Sequence, residues 1–196
     1  MHVVLGNQML EVHTIGHSTH PIEKFLELLH SHAITQLIDV RTIPRSRHNP
    51  QFNTEALSAS LTSKAITYHH MPDLGGLRHA RRDSINTAWR NASFRGYADY
   101  MQTPAFQTAL QSLIDQAEAA PTAIMCAEAL PWKCHRSLIA DALLARGIRV
   151  LDILNIAKAA PHALTPFAKV NGTEVTYPGK DQENLLLKFD APDALR

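Results

Sequence analysis

The sequence predicts an α/β fold: a three-layer domain on a mostly parallel sheet of about five strands, plus a small C-terminal β-hairpin. Three observations carry this. Short apolar runs alternate with amphipathic segments at helical spacing, the pattern of βαβ units with right-handed crossovers. The strand runs are largely apolar, as in strands covered on both faces. An Asn171-Gly172 step splits the last alternating stretch, a two-residue hairpin signal. One domain is expected over residues 1–196, with a core of about 11–155 and an extension over 156–196.

The elements follow in order. Residues 11–16 read as the first strand and end in Gly16-His17-Ser18. Pro21 sits well at a first helical position, and Ile22, Phe25, Leu26, Leu28 and Leu29 give an amphipathic helix over 21–32. Residues 37–41 form a second strand that runs into a proline-marked loop. Asn53 or Thr54 caps a helix through about residue 64. Residues 66–71 form the third strand, ending in a turn with Gly75 and Gly76. Residues 77–93 are polar, basic and aperiodic, which predicts a long exposed loop or a marginal helix. A helical region opens at Phe94 and restarts at Pro104, running to Ala119. Residues 122–126 are the fourth strand. A helix from Cys134 stops at Gly147, a good residue beyond a C-terminus. Residues 149–154 are the fifth strand, and 167–177 a hairpin with a type I′ turn. Residues 181–196 read as a short helix or extended tail.

Composition narrows the function classes. The chain is 45% hydrophobic and 19% charged, ordinary for a globular protein. No stretch reaches the ~20 apolar residues of a membrane span, and residues 1–8 lack a signal peptide's basic start. Two cysteines are too few for a disulfide framework, so a reducing cytoplasm is expected. Net charge is only +1, yet residues 41–95 hold nine basic residues against three acidic ones. That surplus points to an anionic partner; an arginine-decorated solvent face is the plainer reading.

The chemistry collects at the predicted strand ends, where parallel sheets bind ligands. The first strand ends on His17 and Ser18, the second on Asp39 and Arg41, the third near Tyr68, His69 and Asp73, the fourth on Cys126 and Glu128. Helical geometry puts His135 on the apolar face of its helix, pointing down to Cys126 and Glu128, and leaves Cys134 well off that face. Cys126 with His135 resembles a thiol–imidazole pair, although a free cysteine is often a small buried apolar residue. A redox Cys126–Cys134 pair lacks the Cys-x-x-Cys spacing. A metal site from Cys126, Cys134 and His135 with His17 or His69 matches no zinc pattern, so no metal is expected. Arg41, Arg95 and Arg136 can each fork a phosphate or carboxylate; Arg41 can equally pair with Asp39 or Asp73. Glu128 is a candidate acid or base, or a partner held ionised by Arg136. Tyr97 can stack on a base or simply pack.

Taken together, Thr14-Ile15-Gly16-His17-Ser18, Leu37-Ile38-Asp39-Val40-Arg41 with Pro44, Asp73-Leu74-Gly75-Gly76, Phe94-Arg95-Gly96-Tyr97, and Cys126-Ala127-Glu128 followed by Cys134-His135-Arg136 resemble the "domain of unknown function 488" family. The resemblance covers roughly residues 11–155. It implies a small bacterial or archaeal cytosolic α/β protein whose motif residues are those named, and it implies no reaction.

The leading expectation is an enzyme that takes an anionic, phosphate-bearing substrate, a nucleotide or nucleic acid, in a pocket over the strand ends. Cys126, Glu128 and His135 are its candidate catalytic residues. His17, Ser18, Asp39, Arg41, Asp73, Arg95, Tyr97, Cys134 and Arg136 are its candidate binding residues. The alternatives are a non-catalytic nucleic-acid-binding module using segment 41–95, and a small-metabolite sensor or interaction protein. The sequence specifies no cofactor and no oligomeric state.

Overall fold

The computed structural model describes residues 9–179. In chain order the elements are β1 (Glu11–Gly16), α1 (Ile22–Ser31), β2 (Gln36–Asp39), α2 (Thr54–Thr62), β3 (Thr67–His70), α3 (Ala92–Met101), α4 (Pro104–Ala119), β4 (Thr122–Cys126), α5 (Arg136–Leu144), β5 (Arg149–Asn155), β6 (Lys158–Pro161), β7 (Lys169–Asn171) and β8 (Glu174–Thr176). The main sheet has strand order β3-β2-β4-β1-β5-β6. Its first five strands pair in parallel, and β6 joins antiparallel at the edge.

The three layers follow from side-chain alternation along the strands. Ile15, Leu37, Ala123 and Met125 pack with Phe25 and Leu29 of α1 and Leu57 and Leu61 of α2. Their neighbours Val12, Ile38, Ile124 and Cys126 pack on the other face, with Tyr97 of α3, Phe106 and Leu113 of α4, and Leu138 and Ile139 of α5. Cys126 therefore belongs to the α3–α4–α5 side because Ile124 does. Local signals set the helix starts: the Asn91 side chain accepts from Ser93 N, and that of Thr103 from Phe106 N with Pro104 following. Among the described residues no helix is long and apolar enough to cross a membrane.

The structure departs from the sequence reading in four places. The sheet has a sixth strand, β6, because Lys-Ala-Ala-Pro carries no strand signal yet Pro161 is tolerated at an edge. Asn171 pairs with Glu174, so the turn residues are Gly172 and Thr173, with positive φ at Gly172 alone, the pattern of a type II′ rather than a type I′ turn. Helix α5 begins at Arg136, two residues later than expected, after an extended Cys134 (φ −133°, ψ 144°). Segment 77–93 is anchored rather than free. Buried Asp99 accepts from Arg81 N (2.8 Å), Ser84 Oγ (2.6 Å) and Asn86 Nδ2 (2.8 Å), and fully buried Asn86 accepts from Tyr177 N. Residues 181–196, read as a helix or tail, lie outside the described residues.

One buried charge network ties the C-terminal segment to the helical layer. His162 Nδ1 lies 2.9 Å from Asp152 Oδ2 and its Nε2 lies 3.4 Å from Asp141 Oδ1. Tyr177 donates to Asp141, and Thr14 to Asp152. Burial works against charge on His162, but the Asp141 and Asp152 carboxylates outweigh it and raise the pKa to about 9. A raised pKa means that the folded state holds this proton more tightly than the unfolded chain, at about 6.5. The stabilisation is thus complete below about pH 6.5 and disappears as pH rises through about 9. The melting temperature of the wild type should fall across that window, and that of His162→Gln should lack this component. Parallel melting curves from pH 6 to pH 10 check it.

Candidate active site

The topology opens a crevice at the carboxyl ends of β1 and β4. These strands are neighbours, with Gly16 paired to Cys126. The helices that follow them leave to opposite faces, α1 to one and α5 to the other, as at the ligand sites of open α/β sheets. Pairing continues past the strands: His17 N donates to Cys126 O (3.0 Å) and Ser18 N to Ala127 O (2.8 Å). Position 16 accepts no side chain, because a Cβ there would stand 1.9 Å from Glu128 O. The loop then turns through Pro131–Lys133 and returns to α5. Arg136, only 1% exposed, holds it by donating to Glu128 O (2.5 Å) and Ala129 O (2.8 Å).

At the base of this crevice are two free, buried cysteines and an imidazole. His135 Nδ1 lies 3.8 Å from Cys126 Sγ and 3.8 Å from Cys134 Sγ. His135 Nε2 lies 3.1 Å from Val40 O. A carbonyl only accepts, so Nε2 carries the proton and Nδ1 offers its lone pair to both thiols. The Tyr97 ring packs against the imidazole at 5.0 Å. The opposite constraint is Gly76, where a Cβ would stand 2.5 Å from His135 Nδ1. Pairing with the Cys126 thiol is the main cause that holds the Cys134 pKa down against its burial, and the positive charge of Arg136 adds to it. The Cys126 pKa is raised, first by that pairing and then by burial. Cys134 is therefore the first of the pair to ionise.

A second network stands beside the cluster. Arg41 grips fully buried Asp39 through Nε (2.9 Å to Oδ1) and Nη2 (2.6 Å to Oδ2), and Tyr68 donates to the same carboxylate. Nη2 also donates to Phe52 O. His17 donates from Nδ1 to Ser18 O and accepts at Nε2 from Arg41 Nη1 (3.3 Å), with its ring stacked on Phe52. Burial is the main cause of its low pKa, about 4, and Arg41 adds to it against the Ser18 bond. His17 is neutral at pH 7.

Two adjoining clefts, of about 430 and 530 Å³, open over these groups and share Arg41, Ile43, Ala127, Glu128 and Lys133. The first reaches Cys126, Cys134, His135, Gly76 and Phe94. The second reaches His17, Ser18, Arg45 and Asn49. The structure thus brings together seven of the expected site residues: Cys126, Cys134, His135, Glu128, Arg41, His17 and Ser18. Cys134 corrects the helical-wheel reading, since it is extended and precedes the helix. Five lie elsewhere. Asp39 is buried beneath Arg41, and Arg136 is inside the loop that it holds. Tyr97 is fully buried with its hydroxyl on Leu74 O. Asp73 is exposed on a different depression. Arg95 lines neither cleft. Sequence reasoning missed Arg45 and Lys133, both inside segments already singled out as basic loop and cysteine loop. The basic segment also spends charge locally: Arg78 lies over the Tyr100 ring (3.6 Å) and Arg81 pairs with Asp83 (2.7 Å).

Residues 21–143, more than half of the chain, match the family model described as Domain of unknown function DUF488. No curated protein and no solved structure matches the chain.

The geometry makes two outcomes checkable. Gly76→Ala leaves the backbone allowed but drives a methyl into the imidazole, at a cost of about 1–3 kcal/mol; denaturant unfolding and the His135 ring resonances should both report it. In reduced, chelator-treated protein, iodoacetamide should alkylate Cys134 below the ordinary thiol pKa of about 8.5, and before Cys126. Cys126→Ala should move the Cys134 profile upward, read by peptide mass spectrometry across pH.

Proposed function

This chain belongs to the DUF488 family, and we propose that it is an enzyme acting on an anionic, phosphate-bearing substrate in the clefts over the strand ends. The observation that carries this reading is the thiol–imidazole cluster in the wall of a solvent-open cleft. Buried cysteines that only pack do not share a histidine lone pair beneath a cavity. The reaction centre is Cys126, Cys134 and His135. Glu128, exposed on both clefts, is placed for proton transfer.

Recognition falls to Arg45 and Lys133, with Arg41 between them. Arg41 is rigidly held by Asp39, so its remaining edge costs little ordering on binding. His17, neutral at pH 7, adds no charge to this set. Ile43, Leu77 and Phe94 offer an apolar wall to the uncharged part of a substrate such as a nucleoside. Free cysteines suit the reducing cytoplasm as its compartment.

The test is titration with inorganic phosphate and nucleoside monophosphates, followed by NMR, and then a panel of phosphate esters. Binding should weaken with salt, and each of Arg45→Ala and Lys133→Ala should lower it about two- to fivefold, the worth of one exposed ion pair. Cys134→Ala should keep phosphate binding and lose turnover. No binding at low salt, or binding indifferent to both rim cations, overturns the reading.

A further inference from the structure

We infer that Cys126, Cys134 and His135 form a three-ligand site for one divalent metal ion, Zn2+ by donor type, whose fourth position opens into the cleft. Two sulfurs and an imidazole nitrogen favour Zn2+ over Mg2+ or Ca2+, which take oxygen. The three donor atoms lie within 4.8 Å of one another. Around tetrahedral zinc, with bonds of about 2.3 Å to sulfur and about 2.0–2.1 Å to nitrogen, S and N stand about 3.6 Å apart. The two distances here are 3.8 Å. An ion therefore fits with a small inward shift of the side chains.

Two further observations point the same way. The Nε2 proton is fixed on Val40 O, so Nδ1 faces the sulfurs as a bare lone pair. A carbonyl on the far nitrogen is the usual companion of a metal-bound histidine. Gly76 leaves clear the space beside Nδ1 that any Cβ would fill.

The seven residues between the cysteines fit no standard zinc spacing, but the fold removes that objection. Strand β4 delivers Cys126, the extended residue before α5 delivers Cys134, and the helix cap delivers His135. His17 and His69 do not join the group; His17 is engaged by Arg41 and Ser18. The fourth position falls to water or to an oxygen of the bound anion. That open position rests on the pocket reading above; the three protein ligands do not.

Charge balance supports the site. Binding releases two thiol protons, and two thiolates offset the ion's +2 charge while neutral His135 adds a lone pair. The centre is then neutral, which suits cysteines only 6% and 3% exposed. With the ion bound, the sulfurs are ligands and the activated group is the water on the metal, whose pKa at such sites falls to about 7. Glu128 lines the same cleft.

The experiment is Zn2+ and Co2+ titration of the reduced, chelator-stripped full chain against a competing chromogenic chelator. One equivalent should bind. Co2+ should show tetrahedral bands and sulfur-to-metal charge transfer sized for two thiolates, a readout that needs no variant. Zn2+ should protect both cysteines from iodoacetamide. Cys126→Ala, Cys134→Ala and His135→Ala should each weaken binding by more than the roughly 10–100-fold cost of losing an outer hydrogen-bond partner of a ligand. Octahedral Co2+ without charge transfer, substoichiometric uptake, or a Cys126–Cys134 disulfide that forms in air while added metal gives no protection overturns the inference. Metal binding without phosphate binding sustains it and removes the pocket reading. Phosphate binding without metal binding does the reverse.

Discussion

The buried guanidinium of Arg136 is the constraint on which the rest of the site depends. It is 1% exposed, and it donates to two consecutive loop carbonyls, of Glu128 and Ala129. Those carbonyls sit in the loop that joins β4 to α5, so one side chain sets the path of the chain between the cysteines. A buried cation is costly unless its donors are met, and a carbonyl stripped of its donor is costly as well. The loop and the arginine therefore hold each other in place. The absence of a side chain at Gly16 belongs to the same constraint, since Glu128 O occupies the space where its Cβ would be. The cysteine cluster has its shape because the chain above it has no freedom.

The neighbouring network divides its labour differently. Asp39 takes the charge of Arg41, and burial, with Arg41 adding to it, keeps His17 neutral. Three polar residues from the ends of β1 and β2, which flank β4, thus form a stiff, nearly neutral floor. The charge offered to solvent comes from Arg45, Lys133 and Glu128 at the rim. A rigid floor under an exposed rim is a common arrangement where recognition and chemistry must both be served.

Much of this was legible in the sequence. Five parallel strands, five helices and the hairpin followed from periodicity, because each strand and helix buries a patterned face. Strand ends rich in polar residues located the crevice. What periodicity cannot report is where a polar side chain spends its hydrogen bonds. Arg136 and Tyr97 look like ligand contacts because arginine and tyrosine often are; only their burial shows that Glu128 O and Leu74 O have already claimed them. Cys134 was misplaced for a related reason. A helical wheel begun at Cys134 starts two residues before α5 and includes an extended backbone. Strand β6 escaped because it is four residues long and is held by β5 rather than by its own propensity.

The strand order carries a consequence for where this protein can be cut. The matched family segment, 21–143, starts after β1 and stops before β5. Yet β1 lies between β4 and β5 in the sheet, and Val12 and Val150 are core residues. The unit that the family model recognises and the unit that folds are thus different objects. A chain trimmed to the matched boundaries would expose one side of β4 as a raw edge and strip α5 of its packing on β5. Whatever ancestry the matched segment records, its autonomy is borrowed from residues on either side of it.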